Sequence, residues 1–345
     1  MPSSTNAITK TVVLLVKNLS PRNRDIVSRR FGLKSGKKET LESIGKNYGI
    51  TRERVRQIEE FSLGQLSKSV AGSPEVAKYV SLAKDILGGN GGVMKEVDMF
   101  KAFSGGDKTN VVNASLVFIL TLAGELVKFG ESDEFHSFWA VDKQAAGSFT
   151  GNLVNLTKAF EKNEKPVPQS ELASFFETNG VGNSRDLAVL LNISKGLGKN
   201  VFGEVGLISW ADVKPKGVRD KAYLVLRKEN KPKHFTEIAK LINLTGFSSK
   251  KANVQTVHNE LIKDFRFVLV GRGMYGLSEW GYKPGTVKEV LVDILKTSSK
   301  PLAKTELVAK VLVNRMVKEN TILLNLQDSK VFSKKEDGTY ALRKA

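Results

Sequence analysis

The chain has 345 residues, of which 41% are hydrophobic, and its formal net charge is +18. This length allows about two to four domains, and the hydrophobic share is enough for packed cores. The absence of cysteine excludes disulfides and thiolate metal sites, and no apolar run reaches the length that would span a membrane.

The stretch from Glu39 to Glu59 has the pattern of a helix-turn-helix, with Thr40 or Glu39 opening the first helix. The apolar face of that helix would be formed by Leu41, Ile44 and Tyr48. Gly49 would end it, because glycine accepts the backbone angles of a tight turn. Thr51 suits the N-cap of the second helix. A short glycine turn between two helices places the second where it can enter a DNA groove.

The outer face of the second helix is suited to reading DNA. It carries Arg52, Glu53, Arg56 and Gln57. Arginine pairs with guanine, glutamine pairs with adenine, and glutamate accepts a hydrogen bond from cytosine. The alternative is an amphipathic helix whose charged face is merely solvated.

The segment from about Leu19 to Leu66 resembles region 4 of bacterial sigma-70-type sigma factors. The matching residues are Pro21-Arg22-Asn23-Arg24-Asp25-Ile26, Arg29-Arg30-Phe31-Gly32-Leu33, Glu39-Thr40-Leu41, Ile44-Gly45 and Gly49-Ile50-Thr51-Arg52-Glu53-Arg54-Val55-Arg56-Gln57-Ile58-Glu59. In that family this element reads the promoter −35 hexamer and touches the flap of the polymerase β subunit. The resemblance covers the first fifth of the chain.

The resemblance implies a set of DNA-binding residues in this segment. As base readers it implies Arg52, Glu53, Arg56 and Gln57, with Thr51 at the start of their helix. Arg54 would contact a phosphate or the groove edge, and phosphate contacts are implied for Lys37, Lys38 and Thr40. The chain shows no aromatic-rich basic helix like the one that melts the −10 element, so we do not expect it to open promoters alone.

Residues 71–165 are expected to form a helical linker domain. The segment Val111–Phe129 is strongly apolar and predicts one buried helix. Near it, acidic residues and a histidine could indicate a metal, but we favour surface capping for Glu131, Asp133, Glu134 and His136. No segment of the chain has metal-ligand spacing, a catalytic constellation or a phosphate-loop motif, so no cofactor and no enzymatic activity are predicted.

The second half contains repeated β-hairpin signals, each after a helical stretch. The copies are Asn200–Trp210, Gly271–Trp280 and, more weakly, Val331–Leu342. Helices followed by a hairpin form a winged helix, so we predict tandem winged-helix units at 166–215, 216–283 and 284–345. We expect Trp210 and Trp280 to pack the wing onto the helices, and stacking on nucleic acid is the alternative. The predicted fold class is therefore mainly α and multi-domain.

The unit at 216–283 resembles the HARE-type helix-turn-helix found in the RNA polymerase delta subunit. The matching residues are His234-Phe235-Thr236-Glu237-Ile238-Ala239, Val257-His258-Asn259-Glu260-Leu261-Ile262, Phe267-Val268 and Gly273-Met274-Tyr275-Gly276-Leu277. The resemblance implies a link to DNA or the transcription machinery. The candidate DNA contacts are Lys250, Lys251, Asn253, Gln255 and Asn259 on the third helix, with Arg266 and Arg272 on the wing. The alternative is that this surface docks on polymerase or on another domain.

Charge is unevenly distributed along the chain. Residues 1–70 carry +8, residues 71–215 carry −3, residues 216–285 carry +8 and residues 286–345 carry +5. Basic ends suit a polyanion, because each neutralised phosphate releases counterions. We therefore expect a cytoplasmic, nucleoid-associated transcription protein that binds promoter DNA and the RNA polymerase core through the β flap, with no membrane or small-molecule partner. The alternative is a polymerase-associated or architectural interaction protein with only non-specific DNA binding.

Overall fold

Side-chain caps fix the beginnings of the helices at the N-terminal end. The computed structural model describes residues 2–106, 110–181, 187–298 and 300–343. The chain begins with four helices, α1 (Pro2–Val16), α2 (Pro21–Phe31), α3 (Leu41–Tyr48) and α4 (Arg52–Val70). Thr40 and Thr51 are the N-caps of α3 and α4, and their hydroxyls accept from the amides of Ser43 and Arg54. Gly49 ends α3 at φ +64°, in the left-handed region. The predicted helix-turn-helix is therefore confirmed.

After α4, one order of elements occurs four times: a helix, a strand, two helices and two strands. The first repeat contains α5 (Pro74–Gly88), β1 (Val93–Lys95), α6 (Glu96–Ser104), α7 (Val111–Ala123), β2 (Val127–Phe129) and β3 (Phe138–Ala140). The second contains α8 (Lys143–Asn163), β4 (Val167–Pro168), α9 (Leu172–Thr178), α10 (Leu187–Ile193), β5 (Leu197–Lys199) and β6 (Glu204–Leu207).

The other two repeats complete the chain. The third contains α11 (Val218–Glu229), β7 (Lys233–His234), α12 (Phe235–Thr245), α13 (Val254–Lys263), β8 (Phe267–Gly271) and β9 (Met274–Leu277). The fourth contains α14 (Val287–Thr297), α15 (Lys304–Asn314), α16 (Glu319–Leu326), β10 (Phe332–Lys334) and β11 (Tyr340–Leu342). Its first strand is reduced to one bridge, between Leu302 and Tyr340.

The strands of each repeat pair in the same order, and every pair is antiparallel. The three complete sheets have the orders β1-β3-β2, β4-β6-β5 and β7-β9-β8, so the first strand always joins the last. In the fourth repeat, the Leu302 bridge and the β10–β11 hairpin give the same arrangement. This is the winged-helix topology. The mainly helical fold with small β-wings is confirmed.

Two expectations for residues 71–165 are wrong. This part is not only helical, because it contains the complete β1-β3-β2 sheet of the first repeat. The predicted helix at 111–129 ends at Ala123, before Gly124 with φ +66°, and only the last three residues of the segment form strand β2. Strands of three residues are too short to show alternation, so only their pairing partners define them.

The chain contacts divide the protein into two compact units. The first comprises Met1–Lys199 with Glu204–Ile208, and the second comprises Asn200–Gly203 with Ser209–Ala345. In the first unit, one hydrophobic core contains residues of α1, α4 and the first repeat. Helix α7 lies in this core, with Leu116, Phe118 and Ile119 at most 1% exposed. The first repeat is therefore packed against the helix-turn-helix and does not act as a separate spacer.

In the second unit, the third repeat agrees closely with its sequence prediction. The helices and the hairpin predicted for a winged helix at 216–283 are all present, as α11, α12, α13 and the β8–β9 wing. Trp280 packs against the core of this repeat, as predicted. Trp210 is half-buried in the turn that follows β6.

Candidate nucleic-acid interface

Ion pairs connect α2 to the helix-turn-helix. The guanidinium of Arg29 on α2 donates two hydrogen bonds to the Glu39 carboxylate, at 2.9 and 2.7 Å. Arg30 donates to the Glu39 carbonyl oxygen and to the carboxylate of Glu59 on α4, both at 3.2 Å. The bond from Arg29 lowers the pKa of Glu39, so this carboxylate stays charged. Helix α2 thereby fixes the positions of α3 and α4.

The predicted base readers all lie exposed on the first half of α4. Arg52 has no hydrogen-bond or ion-pair partner within the described residues, so its fork of donors faces solvent. Arg56 bonds Glu53 at 2.7 Å and also pairs with Glu60. The bond from Arg56 lowers the pKa of Glu53. To contact DNA, Arg56 would have to exchange at least one of these carboxylates for a base or a phosphate.

Arg54 and Gln57 form a second exposed pair on α4. The Arg54 guanidinium donates to Oε1 of Gln57 at 3.1 Å. The Gln57 amide nitrogen remains as a donor, and its hydrogen bond to Glu53 also helps to lower the pKa of that carboxylate. Arg54 therefore lies beside the predicted base reader Gln57, and its contact to the groove edge stays a prediction.

The predicted phosphate contacts lie at the beginning of α3. Thr40 is exposed, but its hydroxyl is occupied by the N-cap bond to the Ser43 amide at 3.1 Å. Lys37 is exposed without an ion-pair partner among the residues that the structure describes. Lys38 is also exposed, and its ammonium group lies near Lys128 of β2. Burial of that ammonium group and the charge of Lys128 lower the pKa of Lys38.

Comparison with known proteins now identifies this segment. Residues 15–68 match the family described as "Sigma-70, region 4". The resemblance predicted for Leu19–Leu66 is thus confirmed, and the region 4 segment contains α2, α3 and most of α4.

Sigma factors from several bacteria are similar to this region 4 segment. RNA polymerase sigma factor SigA of Nostoc sp. is 43% identical over 63 residues, which cover 18% of this chain and 16% of the relative. The principal sigma factor HrdD of Streptomyces coelicolor is 44% identical over 54 residues, covering 16% of each chain. SigA1 of Synechococcus elongatus is 48% identical over 52 residues, covering 15% of this chain and 13% of the relative. The matches thus span about a sixth of these relatives' length.

In the third repeat, five predicted contacts lie on α13 or just before it, and all are exposed. Lys250 and Lys251 precede the helix and have no ion-pair partner in the described part of the chain. Asn253 is the N-cap, and its side-chain oxygen accepts from the amides of Gln255 and Thr256. Nε2 of Gln255 donates to Oδ1 of Asn259 at 3.2 Å. These side chains form one polar surface.

The two predicted wing arginines have different surroundings. Arg272 is exposed at the tip of the β8–β9 hairpin. Arg266 is engaged within the repeat, where it bonds Asp264 at 2.6 Å and Asp220 at 3.0 Å and lies over the Tyr223 ring. These bonds raise the pKa of Arg266 and lower that of Asp264. The charge of Arg266 is thus neutralised within the repeat, and its contact with DNA stays a prediction.

The third helices of the first two repeats differ from α13. Helix α7 is buried beneath the helix-turn-helix, and α10 carries no charged residue. The sequence prediction missed the first repeat and the early beginning of the second. A shared motif marks three of the repeats. Its copies are Lys165-Pro166 with Ser170-Glu171-Leu172, Lys231-Pro232 with Thr236-Glu237-Ile238, and Lys300-Pro301 with Thr305-Glu306-Leu307.

Within the ranges that the structure describes, no helix combines the length and the apolar character that crossing a membrane requires. No group of three or more histidine or acidic side chains there could hold a metal ion. The acidic residue Glu131 instead accepts from Lys195 at 2.6 Å and from the Ser137 amide at 2.8 Å.

Proposed function

We propose that this protein is a DNA-binding transcription protein that reads a −35-like promoter element through its region 4 segment and contacts RNA polymerase. The observation that carries the proposal is the match of residues 15–68 to sigma-70 region 4, together with the exposed, unpaired Arg52 at the first turn of α4. An exposed arginine there can donate two hydrogen bonds to a guanine without losing an internal bond.

In this proposal, the first two turns of α4 lie in the major groove. Arg52 and Arg56 read guanine, Gln57 reads adenine, and Glu53 accepts from cytosine. Arg54 contacts the groove edge, and Thr51 places the amides of the first turn near a phosphate. Lys37, Lys38 and the backbone at Thr40 hold the neighbouring phosphates, which fixes the register of α4.

The C-terminal part adds contacts that we also propose. The third repeat, a HARE-type winged helix by its sequence, meets DNA through α13 and the Arg272 hairpin. The region 4 segment binds the polymerase core at the β flap, and a different protein opens the promoter. The chain comprises the helix-turn-helix and four winged-helix repeats, catalyses no reaction, and works on the nucleoid in the cytoplasm. Several weak modules on one chain raise the effective concentration of each at the same DNA.

A selection from random double-stranded DNA tests the central claim. The full-length protein is used at near-physiological salt, with and without polymerase core. We expect a short motif to be enriched, and Arg52→Ala or Gln57→Ala to relax its preference by about 1–3 kcal/mol each. Gln65→Ala, an exposed change later on the same helix, is the control and should leave the motif unchanged. An Arg52→Ala protein that selects the wild-type motif with unchanged preference would refute base reading.

One observation favours a second candidate, a polymerase-associated interaction protein with only non-specific DNA binding. The burial of α7 means that at least one winged-helix repeat uses its third helix for protein packing. If the other repeats do the same with polymerase, the selection yields no motif while the chain co-purifies with the core. A motif that appears only with core present instead indicates a sigma-like subunit.

A further inference from the structure

Helix α13 of the third repeat exposes a stripe of uncharged side chains. Gln255, Asn259 and Ile262 follow one another at helical spacing, and all three are exposed, Ile262 to 63%. The opposite face of the helix is anchored by Val257 and Leu261, which are 0% and 1% exposed. The stripe is therefore held rigidly by the core of the repeat.

The two amides of this stripe are bonded to each other, which fixes what they offer to a ligand. Because Nε2 of Gln255 donates to Oδ1 of Asn259, Oε1 of Gln255 remains as an acceptor and Nδ2 of Asn259 remains as a donor. Exchanging O and N in both amides reverses the bond and still leaves one acceptor and one donor. The pair thus presents an acceptor beside a donor.

In the major groove, this pattern is complementary to adenine. Adenine presents the N7 acceptor beside the N6 donor, whereas guanine presents two acceptors and cytosine one donor. We propose that the third repeat reads A·T base pairs in the major groove through Gln255 and Asn259. This inference rests on the proposed function in one respect, since it requires that the third repeat meets DNA.

Different residues around the stripe contribute to base recognition and to sequence-independent affinity. Ile262 continues the stripe after Asn259 and can contact the thymine methyl group. Lys250, Lys251 and Arg272 lie outside the stripe and supply the contacts to phosphates, which do not depend on sequence. Arginine is absent from α13 itself, so this helix lacks the side chain that pairs best with guanine.

The test uses the full-length protein in an Arg52→Ala/Gln57→Ala background, which removes two base readers of the region 4 segment. Affinity is measured for an A·T duplex, a G·C duplex, and an A·T duplex whose adenines are replaced by 7-deazaadenine. That base lacks the N7 acceptor but pairs normally. We expect the A·T duplex to bind about tenfold more tightly than the other two.

Two matched double variants distinguish base recognition from sequence-independent binding to phosphates. Gln255→Ala/Asn259→Ala should abolish the preference and the sensitivity to 7-deazaadenine. Lys250→Ala/Lys251→Ala should weaken binding to all three duplexes by a similar factor and keep the preference. Circular dichroism checks that both variants keep their fold, as expected for changes at exposed positions.

Several results would overturn the inference. Equal affinity for the A·T and G·C duplexes would contradict it, and so would a complete loss of duplex binding in this background. It would also be contradicted if the preference for A·T survived 7-deazaadenine or survived Gln255→Ala/Asn259→Ala. A surviving preference would mean that groove shape is read in place of base edges. Each of these failures is distinct from failure of the proposed function, which is judged by the Arg52-dependent motif of the wild-type protein.

Discussion

Gly45 on α3 packs directly against the backbone of Ile50, the residue just after the turn. The Ile50 amide donates to the Gly45 carbonyl oxygen at 3.0 Å, and a Cβ on residue 45 would lie 2.6 Å from the Ile50 carbonyl oxygen. Real Cβ atoms essentially never come so close to backbone. The angle between α3 and α4 therefore depends on the missing side chain of Gly45, and α4 presents the predicted base readers.

We predict that Gly45→Ala displaces α3 from α4. The added methyl group meets backbone that cannot rotate away, so we expect the helix-turn-helix to lose about 1–3 kcal/mol of stability. Amide hydrogen exchange in α3 and α4 measures this loss. The control is Gly64→Ala, at an exposed position of α4. A Cβ added at residue 64 would meet nothing within 4 Å, so this change should stabilise the helix by about 1 kcal/mol. Equal protection in the two variants would contradict the prediction.

The two wing arginines of the third repeat should separate stability from DNA binding. Arg266→Ala leaves Asp264 and Asp220 without their shared cation, and we expect a loss of about 2 kcal/mol from this repeat. Arg272→Ala should leave stability unchanged and reduce affinity for any duplex. The affinity of this variant should also depend less on salt concentration, because one phosphate contact is lost. Urea unfolding and DNA titrations at two salt concentrations measure both effects. If Arg266→Ala weakened DNA binding without loss of stability, the internal role would be refuted.

Acid should weaken the wing of the first repeat through Glu131. Bonds from Lys195 and the Ser137 amide lower the pKa of Glu131 to about 2, from an ordinary value of 4.5. A lowered carboxylate pKa stabilises the fold fully above the ordinary value, and this stabilisation is lost as the pH falls towards 2. Because the Glu131 side chain is 55% exposed, we expect less than about 1 kcal/mol.

This pH dependence is measured by urea unfolding of the wild type and Glu131→Gln. The difference in their free energies of unfolding should be present at neutral pH and shrink below about pH 4. Glu134→Gln, at a neighbouring exposed position, is the matched control. A difference for Glu131→Gln that stays constant down to pH 2 would rule out the carboxylate bonds as its cause.

Arg315 should be essential to the fourth repeat although it carries a buried charge. It is 3% exposed and donates to the carbonyl oxygens of Lys283, Gly285 and Asn314 at 2.7–2.9 Å. We expect Arg315→Met to cost about 2–4 kcal/mol, since three acceptors lose their donor while most of the volume is kept. Thermal unfolding measures the loss, and the exposed Arg343→Met serves as control. A melting temperature unchanged by Arg315→Met would contradict this account.

Local chemistry was enough to predict the elements that carry the candidate site. Gly49 and Thr51 end one helix and begin the next through their own backbone and side-chain preferences, so the turn could be located from sequence. The hairpin at Gly273 was predicted in the same way, from a glycine in a turn. In the structure this glycine adopts φ +69°. The short strands of the first repeat could not be found, since three-residue runs carry no period and are defined only by distant partners.

The sequence by itself determined the helix-turn-helix, the exposed α4 residues and the wing of the third repeat, because caps, glycine turns and helical periodicity act between near neighbours. Only the tertiary structure decided that α7 lies beneath α1 and α4, that Arg266 is held by Asp220, and that Lys38 lies near Lys128. Each of these depends on contacts between residues far apart in the chain, which no local pattern encodes.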